Sequence, residues 1–333
     1  MKILITGGAG FMGSHFIKHV LKKYPDYKII NYDKLTYAGN PSNLREVENN
    51  SNYQFIKGDI TDTKKVKEVT KGVDTVINYA AETHVDRSIL NAYDFAKTDV
   101  IGTLSLLDAV KENQVKKMVQ ISTDEVFGSI EEGSFTESSS FQPNSPYAAS
   151  KAGGDLLCRA YFETHKVPVV VTHSCNFYGP NQYPEKLISL FITNLVENKK
   201  VPLYGDGLNV REWIFTSDHC EAIDTILHEG KVGQVYNIGT GEKIANKEIA
   251  ELLVSNFGKD KSYIEPVKDR PGHDRRYSID STKLRKELSW EPKITFEEGI
   301  KMTIKWYQEN EWWWKPLKSG AYEEYYKKQY QER

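Results

Sequence analysis

Cysteine is scarce: Cys158, Cys175 and Cys220 are the only three in 333 residues and show no paired spacing. That excludes a disulfide frame and fits a reducing compartment. Neither sign of charge is in excess, with 44 Lys and Arg against 46 Asp and Glu and a formal net charge of -2. Without a basic field, neither nucleic acid nor an anionic membrane is expected as the main partner, so any anionic ligand has to be met locally. No apolar run reaches the ~18 residues that suggest a membrane span, and the chain opens on "MKILITGGAG" with no charged leader ahead of an apolar stretch. A soluble, cytoplasmic protein is the expectation. His84, His173 and His273 show no metal-ligand spacing, and no metal is expected. Repeats and low-complexity tracts are also missing.

What is present is an alternation. "KILIT", "KIINYD", "YQFIKGD", "TVINYAA", "KMVQIST" and "VVVTHSC" predict strands, nearly all apolar, as in a parallel sheet covered on both faces. Between them, segments beginning near Ser14, Lys64, Thr98 and Tyr147 carry apolar residues at helical spacing. The pattern predicts a doubly wound, Rossmann-type α/β fold over residues 1–180. Beyond residue 180 the rhythm loosens into "GPNQYPEKL", "LYGDGLNVREW" and "DRPGHDRRY". Residues 181–333 are read mainly as a smaller substrate-binding lobe, with a later strand at about 234–240, "QVYNIG", returning to the sheet. Trp312, Trp313 and Trp314 are expected to dock the last helix on the body.

"TGGAGFMGSH" follows the first strand and opens the first helix, with Gly7, Gly10 and Gly13 three apart. Glycines there allow a tight turn, close backbone approach and tight helix packing, leaving helix amides directed at a pyrophosphate. Asp33 ends the second strand about 20 residues beyond Gly13, where a carboxylate accepts from adenosine ribose hydroxyls and disfavours a 2'-phosphate. NAD is the expected cofactor. "GDI" and "AAET" end the third and fourth strands and bring Asp59, Ile60 and Ala80 to the same crevice.

In "YAASK", Tyr147 and Lys151 lie four apart on one helix face, where the ammonium would favour the phenolate and lower a phenol pKa from about 10. Thr123, at the end of the fifth strand, joins them. Together these motifs resemble the extended short-chain dehydrogenase/reductase family, in which a Ser or Thr, a Tyr and a Lys form the redox site. Such a triad has no use for the two acids after Thr123 in "STDEVFG", Asp124 and Glu125. A hexose oxidised at C4 would use both: the ketone acidifies C5, one carboxylate takes that proton, and one carboxylic acid protonates the hydroxyl leaving C6. Repulsion within the pair raises one pKa, so one can be acid and the other base; from charge alone the two assignments are equivalent.

Within that family the chain resembles the nucleotide-sugar 4,6-dehydratases, on "TGGAGFMGSHF", "AAETHVDRSI", "STDEVFG", "PYAASKA", "YGPNQYPEKLI", "VREWIF" and "DRPGHD". The resemblance implies dTDP-glucose as substrate, deoxysugar (rhamnose) synthesis, and catalytic roles for Thr123, Asp124 (acid), Glu125 (base), Tyr147 and Lys151. Around NAD it implies Gly7, Gly10, Phe11, Met12, Gly13, Asp33, Lys34, Leu35, Thr36, Asp59, Ile60, Ala80, Ala81, Glu82, Thr83, His84 and Thr98, with Tyr147 and Lys151. Around the nucleotide diphosphate sugar it implies His84, Thr123, Asn176, Glu185, Lys186, Leu187, Ile188, Leu190, Pro202, Leu203, Tyr204, Arg211, Asn246, Arg270, His273 and Asp274. Arg211 and Arg270 suit a diphosphate. Two positions depart from the family pattern: Phe177 replaces a usual Asn, and Met12 a usual Ile. A homodimer is implied, through the helices at about 98–113 and 147–165. A 4-epimerase, a dehydratase for another nucleotide-glucose and a non-catalytic NAD-binding protein are the alternatives. An epimerase would not need the acid pair, and the last would not need Tyr147 and Lys151.

Overall fold

The computed structural model describes residues 1–330. Every apolar run forms a strand: β1 (Lys2–Thr6), β2 (Lys28–Asp33), β3 (Tyr53–Lys57), β4 (Thr75–Asn78), β5 (Lys117–Thr123) and β6 (Val169–Ser174). The helices between them are α1 (Phe11–Lys23), α2 (Thr63–Val69), α3 (Val85–Leu90), α4 (Ala92–Ala96), α5 (Thr103–Glu112) and α6 (Pro146–His165). Successive strand side chains point to opposite faces. Accordingly Ile3, Ile5, Ile77, Val119 and Val170 share a core with α1, while Leu4, Val76, Met118 and Val169 join a second core with α2, α5 and α6.

The rest of the chain forms β7 (Asn176–Tyr178), α7 (Leu187–Val196), β8 (Val201–Tyr204), β9 (Val210–Phe215), α8 (Thr216–Glu229), β10 (Val235–Ile238) and β11 (Lys243–Ala245). After these come α9 (Asn246–Asn256), β12 (Ile264–Val267), α10 (Thr282–Leu288), α11 (Phe296–Glu309), α12 (Glu311–Trp314) and α13 (Ala321–Tyr330). The expected returning strand is β10, which pairs parallel with β6. The parallel sheet therefore has seven strands in the order β10-β6-β5-β4-β1-β2-β3. Its order reverses between β1 and β4, where open α/β sheets bind ligands beyond the strands' carboxyl ends. Residues of α8 and α10 pack on the α1 face, whereas α7, α9 and α11 surround a third core that includes Tyr178, Trp213 and Trp314.

Two local expectations need correction. The helix expected from about Thr98 is not regular: Lys97–Gly102 is π-helical and joins α4 to α5. The neighbouring α6 comes so close that a Cβ on Gly154 would stand 2.7 Å from the Asp99 carbonyl oxygen. Of the three tryptophans, Trp313 and Trp314 are buried, donating to Asn43 Oδ1 at 2.9 Å and to the Tyr307 carbonyl at 2.8 Å. Trp312 is 53% exposed. A single helical turn cannot direct three successive side chains to one side.

Candidate active site

The ends of β1 to β6 open into one cavity of about 360 Å³, bounded on the far side by α7, β8, Arg211 of β9 and the loop around Arg270. All residues expected at cofactor and substrate line it except Leu35, Ile188 and Asp274. Leu35 has a left-handed backbone, φ 58°, and its amide donates to Asp33 Oδ1 at 2.7 Å, so it shapes the turn that carries the acid. Ile188 is fully buried in the third core; one helical step of about 100° separates it from Leu187, which does line the cavity. Asp274 sits behind Tyr277, accepting from its phenol at 2.5 Å and from Asn144 Nδ2 at 2.6 Å.

The glycine loop fits a dinucleotide. Helix α1 starts at Gly10 with no side-chain cap and no acid in its first turn, so its leading amides are available to an anion. A Cβ on Gly10 would meet only the Gly7 carbonyl oxygen, at 3.2 Å, and would otherwise occupy the cradle. Gly7 has φ 67° and packs so tightly on the chain after β4 that a Cβ would stand 2.6 Å from the Ala80 nitrogen. The Asp33 carboxylate is fixed by the amides of Ala9 and Leu35, at 2.9 and 2.7 Å, and lines the cavity where an unmodified ribose would fit. Lys34 pairs with Asp59 at 2.8 Å on the same rim.

The chemistry-bearing groups meet at the end of β5. Thr123 caps a short 3-10 turn, its Oγ accepting from the Glu125 amide at 3.3 Å and lying 3.3 Å from Asp124 Oδ1. Asp124 is driven well above the usual carboxylate range by burial first and by the charge of Glu125 next. Glu125 is also raised by burial, but Arg270, Arg211 and Lys186 oppose the rise. The cations thus favour charge on Glu125 and leave the proton to Asp124.

Tyr147 enters at the first turn of α6, whose Ser145 cap accepts from Ala148 N at 3.1 Å. Its phenol lies well above the ordinary range, through burial and then the charges of Glu125 and Asp99, while Thr123 opposes the rise. Lys151 Nζ donates to the Ile121 carbonyl at 2.7 Å.

On the far wall, Arg211 stacks on the Tyr277 ring, 3.9 Å from guanidinium to centroid, and donates to the backbone carbonyls of Asp274 and Val210. Arg270 reaches Asp86 at 3.5 Å and keeps a buried Nε without a partner. The Oδ1 atoms of Asn176 and Asn246, both residues of the cavity wall, are likewise buried and unpartnered. Two guanidiniums beside such orphaned polar atoms suit a diphosphate joined to a polyol. Glu185 is held by Tyr37 at 2.8 Å and Arg87 at 2.8 Å, which makes it a brace. Phe177 lines the cavity with its ring edge-on to His219, 4.5 Å between centroids, and Met12 is buried there as a packing residue.

Tyr277, Asp86 and Tyr330 also line the cavity and were missed from sequence. No local pattern marks them: Tyr277 meets Glu125 across 152 residues. Among the described residues one cluster has metal-like composition, His19, Glu221 and Asp224, but it lies outside the cavity and Lys23 Nζ binds both its carboxylates, at 3.1 and 2.6 Å. The three cysteines are free and buried. No described helix is long and apolar enough to cross a membrane.

A glycine-loop parallel sheet with Thr, Tyr and Lys converging beside it defines an extended short-chain dehydrogenase/reductase. The family described as GDP-mannose 4,6 dehydratase matches residues 4–303. A dTDP-glucose 4,6-dehydratase of Streptomyces niveus is 48% identical over 96% of both chains. Among solved structures, DesIV of Streptomyces venezuelae, a dTDP-glucose 4,6-dehydratase with NAD bound, matches with TM-score 0.94 and 49% identity, over 95% of this chain and all of that one. The Bacillus anthracis dTDP-glucose 4,6-dehydratase in complex with NAD matches with TM-score 0.90 and 49% identity, over 95% of this chain and 99% of that one. The chain belongs to the dTDP-glucose 4,6-dehydratase family.

Proposed function

We propose that this chain converts dTDP-glucose to dTDP-4-keto-6-deoxy-glucose and water, in the service of deoxysugar (dTDP-rhamnose) synthesis. The observation that carries the reading is the pair of buried Asp124 and half-buried Glu125 next to Thr123 and Tyr147, a pair that simple alcohol oxidation or 4-epimerisation leaves idle. Tyr147, assisted by Thr123 and by the positive charges of Lys151 and of the oxidised nicotinamide that would favour its phenolate, takes the proton of the C4 hydroxyl. Bound NAD, held by the α1 amides and Asp33, supplies the hydride acceptor for C4 and the donor for C6. Glu125, kept charged by the surrounding cations, removes the proton that the C4 ketone acidifies at C5. Asp124 gives its proton to the C6 hydroxyl, which departs as water. Glu125 then returns a proton to C5, and the proton taken from the C4 hydroxyl replaces the one Asp124 gave up. Arg211 and Arg270 hold the diphosphate while the cavity walls and the bound substrate shield the unsaturated ketone from water.

The test is dTDP-glucose carrying deuterium at C4. Label is expected at C6 of the same molecule, also when labelled and unlabelled substrates are mixed. Label returned to C4 would mean an epimerase, and label lost to free NADH an ordinary dehydrogenase.

The proposed assembly is a homodimer. Leu90, Tyr93, Ile101 and Leu156 leave apolar side chains exposed on α3, α4, the π-helical segment and α6, which supports a shared face built from these helices. Light scattering at micromolar concentration should give twice the chain mass; a monomer would refute it. Three buried free thiols agree with a reducing compartment, and the cytoplasm is the proposed location.

A further inference from the structure

Helix α13 touches two walls of the cavity with one face. Tyr325 Oη is 3.3 Å from His84 Nδ1, and the Arg87 guanidinium lies over its ring at 4.5 Å. Gln329, one turn further, donates from Nε2 to Tyr204 Oη at 2.6 Å on β8. Tyr322, one turn before Tyr325, donates to the Pro184 carbonyl at 2.9 Å. These three residues are buried, whereas Glu323, Glu324, Lys327 and Lys328 face solvent. The helix is therefore seated by an aromatic and amide stripe and not by a broad apolar face.

Tyr330 goes further than the seat. It lines the cavity itself and stacks on Tyr204, with ring centroids 5.6 Å apart and planes at 26°. Tyr204 in turn donates to Asp86 at 3.1 Å, and Asp86 pairs with Arg270. Pro202 and Leu203 line the same wall. Planar aromatic and apolar surface here, with Arg270 beside it, matches a nucleoside whose diphosphate extends toward the guanidiniums.

We propose that Tyr330 is a substrate-binding residue for the nucleoside end of the sugar nucleotide, and that α13 is the wall which completes that subsite. The proposal rests on the reading that this cavity takes a nucleoside diphosphate sugar. A stacking wall of this kind acts on binding of the nucleoside and leaves the chemistry at the sugar untouched.

The experiment compares the wild type with Tyr330→Ala and Tyr330→Phe, reading dTDP affinity by calorimetry, KM and kcat for dTDP-glucose, and the NAD content of the purified protein. For Tyr330→Ala, the dTDP Kd and the KM should rise about tenfold, with kcat and NAD content unchanged. Tyr330→Phe, which keeps the ring, should stay near the wild type. Wild-type Kd and KM in Tyr330→Ala would overturn the proposal, as would a fall in kcat alone or a Tyr330→Phe variant as impaired as Tyr330→Ala. A wild-type chain that binds dTDP but does not turn over dTDP-glucose would sink the reaction assignment while the Tyr330 dependence of dTDP binding still supports the wall. A wild-type chain with no dTDP affinity would overturn both.

Discussion

The phenol of Tyr277 lies 2.5 Å from Asp274 Oδ2 and 3.3 Å from Glu125 Oε2. A phenol has one proton, and the shorter contact takes it. Glu125 therefore faces a phenolic oxygen to which it can donate once it has collected a proton from C5. Arg211, stacked on the Tyr277 ring, keeps the arrangement in place. Tyr277→Phe should keep the packing and remove this partner, lowering kcat by about tenfold with little change in KM for dTDP-glucose. Steady-state kinetics decide it: a variant with wild-type kcat would show that Glu125 needs no such support.

Glu125→Gln keeps the shape of the side chain but cannot accept a proton. Keto-sugar formation should fall by at least about 100-fold, while NAD stays bound and some C4 oxidation continues, visible as absorbance of the reduced cofactor. Full turnover would remove Glu125 from the role of base.

The Asp124 carboxyl has to be protonated to serve as acid, and its burial beside Glu125 provides for that. Asp124→Asn should slow loss of the C6 hydroxyl by about 100-fold while hydrogen exchange at C5 persists. Mass spectrometry of dTDP-glucose recovered from heavy water checks this; exchange lost together with elimination would contradict the split of roles.

Glu82 is raised from 4.5 to about 7, by burial first and then by the charges of Asp99 and Asp94. The folded state thus binds more protons than the unfolded one across that window, so this group's contribution to stability falls as pH rises from about 4.5 to about 7. Asp99, raised to about 6, acts in the same direction. Glu82→Gln should raise the free energy of unfolding, and with it Tm, more at pH 8 than at pH 5, the upper bound on the free-energy difference being about 3 kcal/mol. Equal effects at the two pH values in thermal melts would refute the assignment.

Arg87 reaches the buried Glu185 carboxylate at 2.8 Å and stacks over Tyr37 and Tyr325. Arg87→Met leaves that carboxylate buried without its cation and should cost about 3 kcal/mol in urea unfolding, with part recovered in the double variant with Glu185→Gln. A loss below about 0.5 kcal/mol would mean that the pair behaves as an exposed one.

The strands, the glycine loop, Asp33 and the Thr123–Asp124–Glu125 turn were legible because each is specified within a few residues. Strand alternation, glycine spacing and a cap are short-range matters of backbone sterics and periodicity. Leu35 and Ile188 do not line the cavity because a stretch named as a block does not say which of its side chains turn inward; the left-handed turn at Leu35 and the helical phase of α7 decide that. The Lys151 ammonium meets a carbonyl on β5, a partner 30 residues away that no spacing rule contains.

By itself, then, the sequence determined the parallel sheet, the dinucleotide loop and an acid pair beside a redox triad, since these depend on local conformation and on residue chemistry. Only the tertiary structure brought Arg270, Arg211 and Lys186 to bear on Glu125, set Tyr277 to face Glu125, and placed Tyr330 of α13 in the cavity wall. Those outcomes depend on burial and on charges brought together from segments far apart in the sequence, and both exist only once the chain has packed.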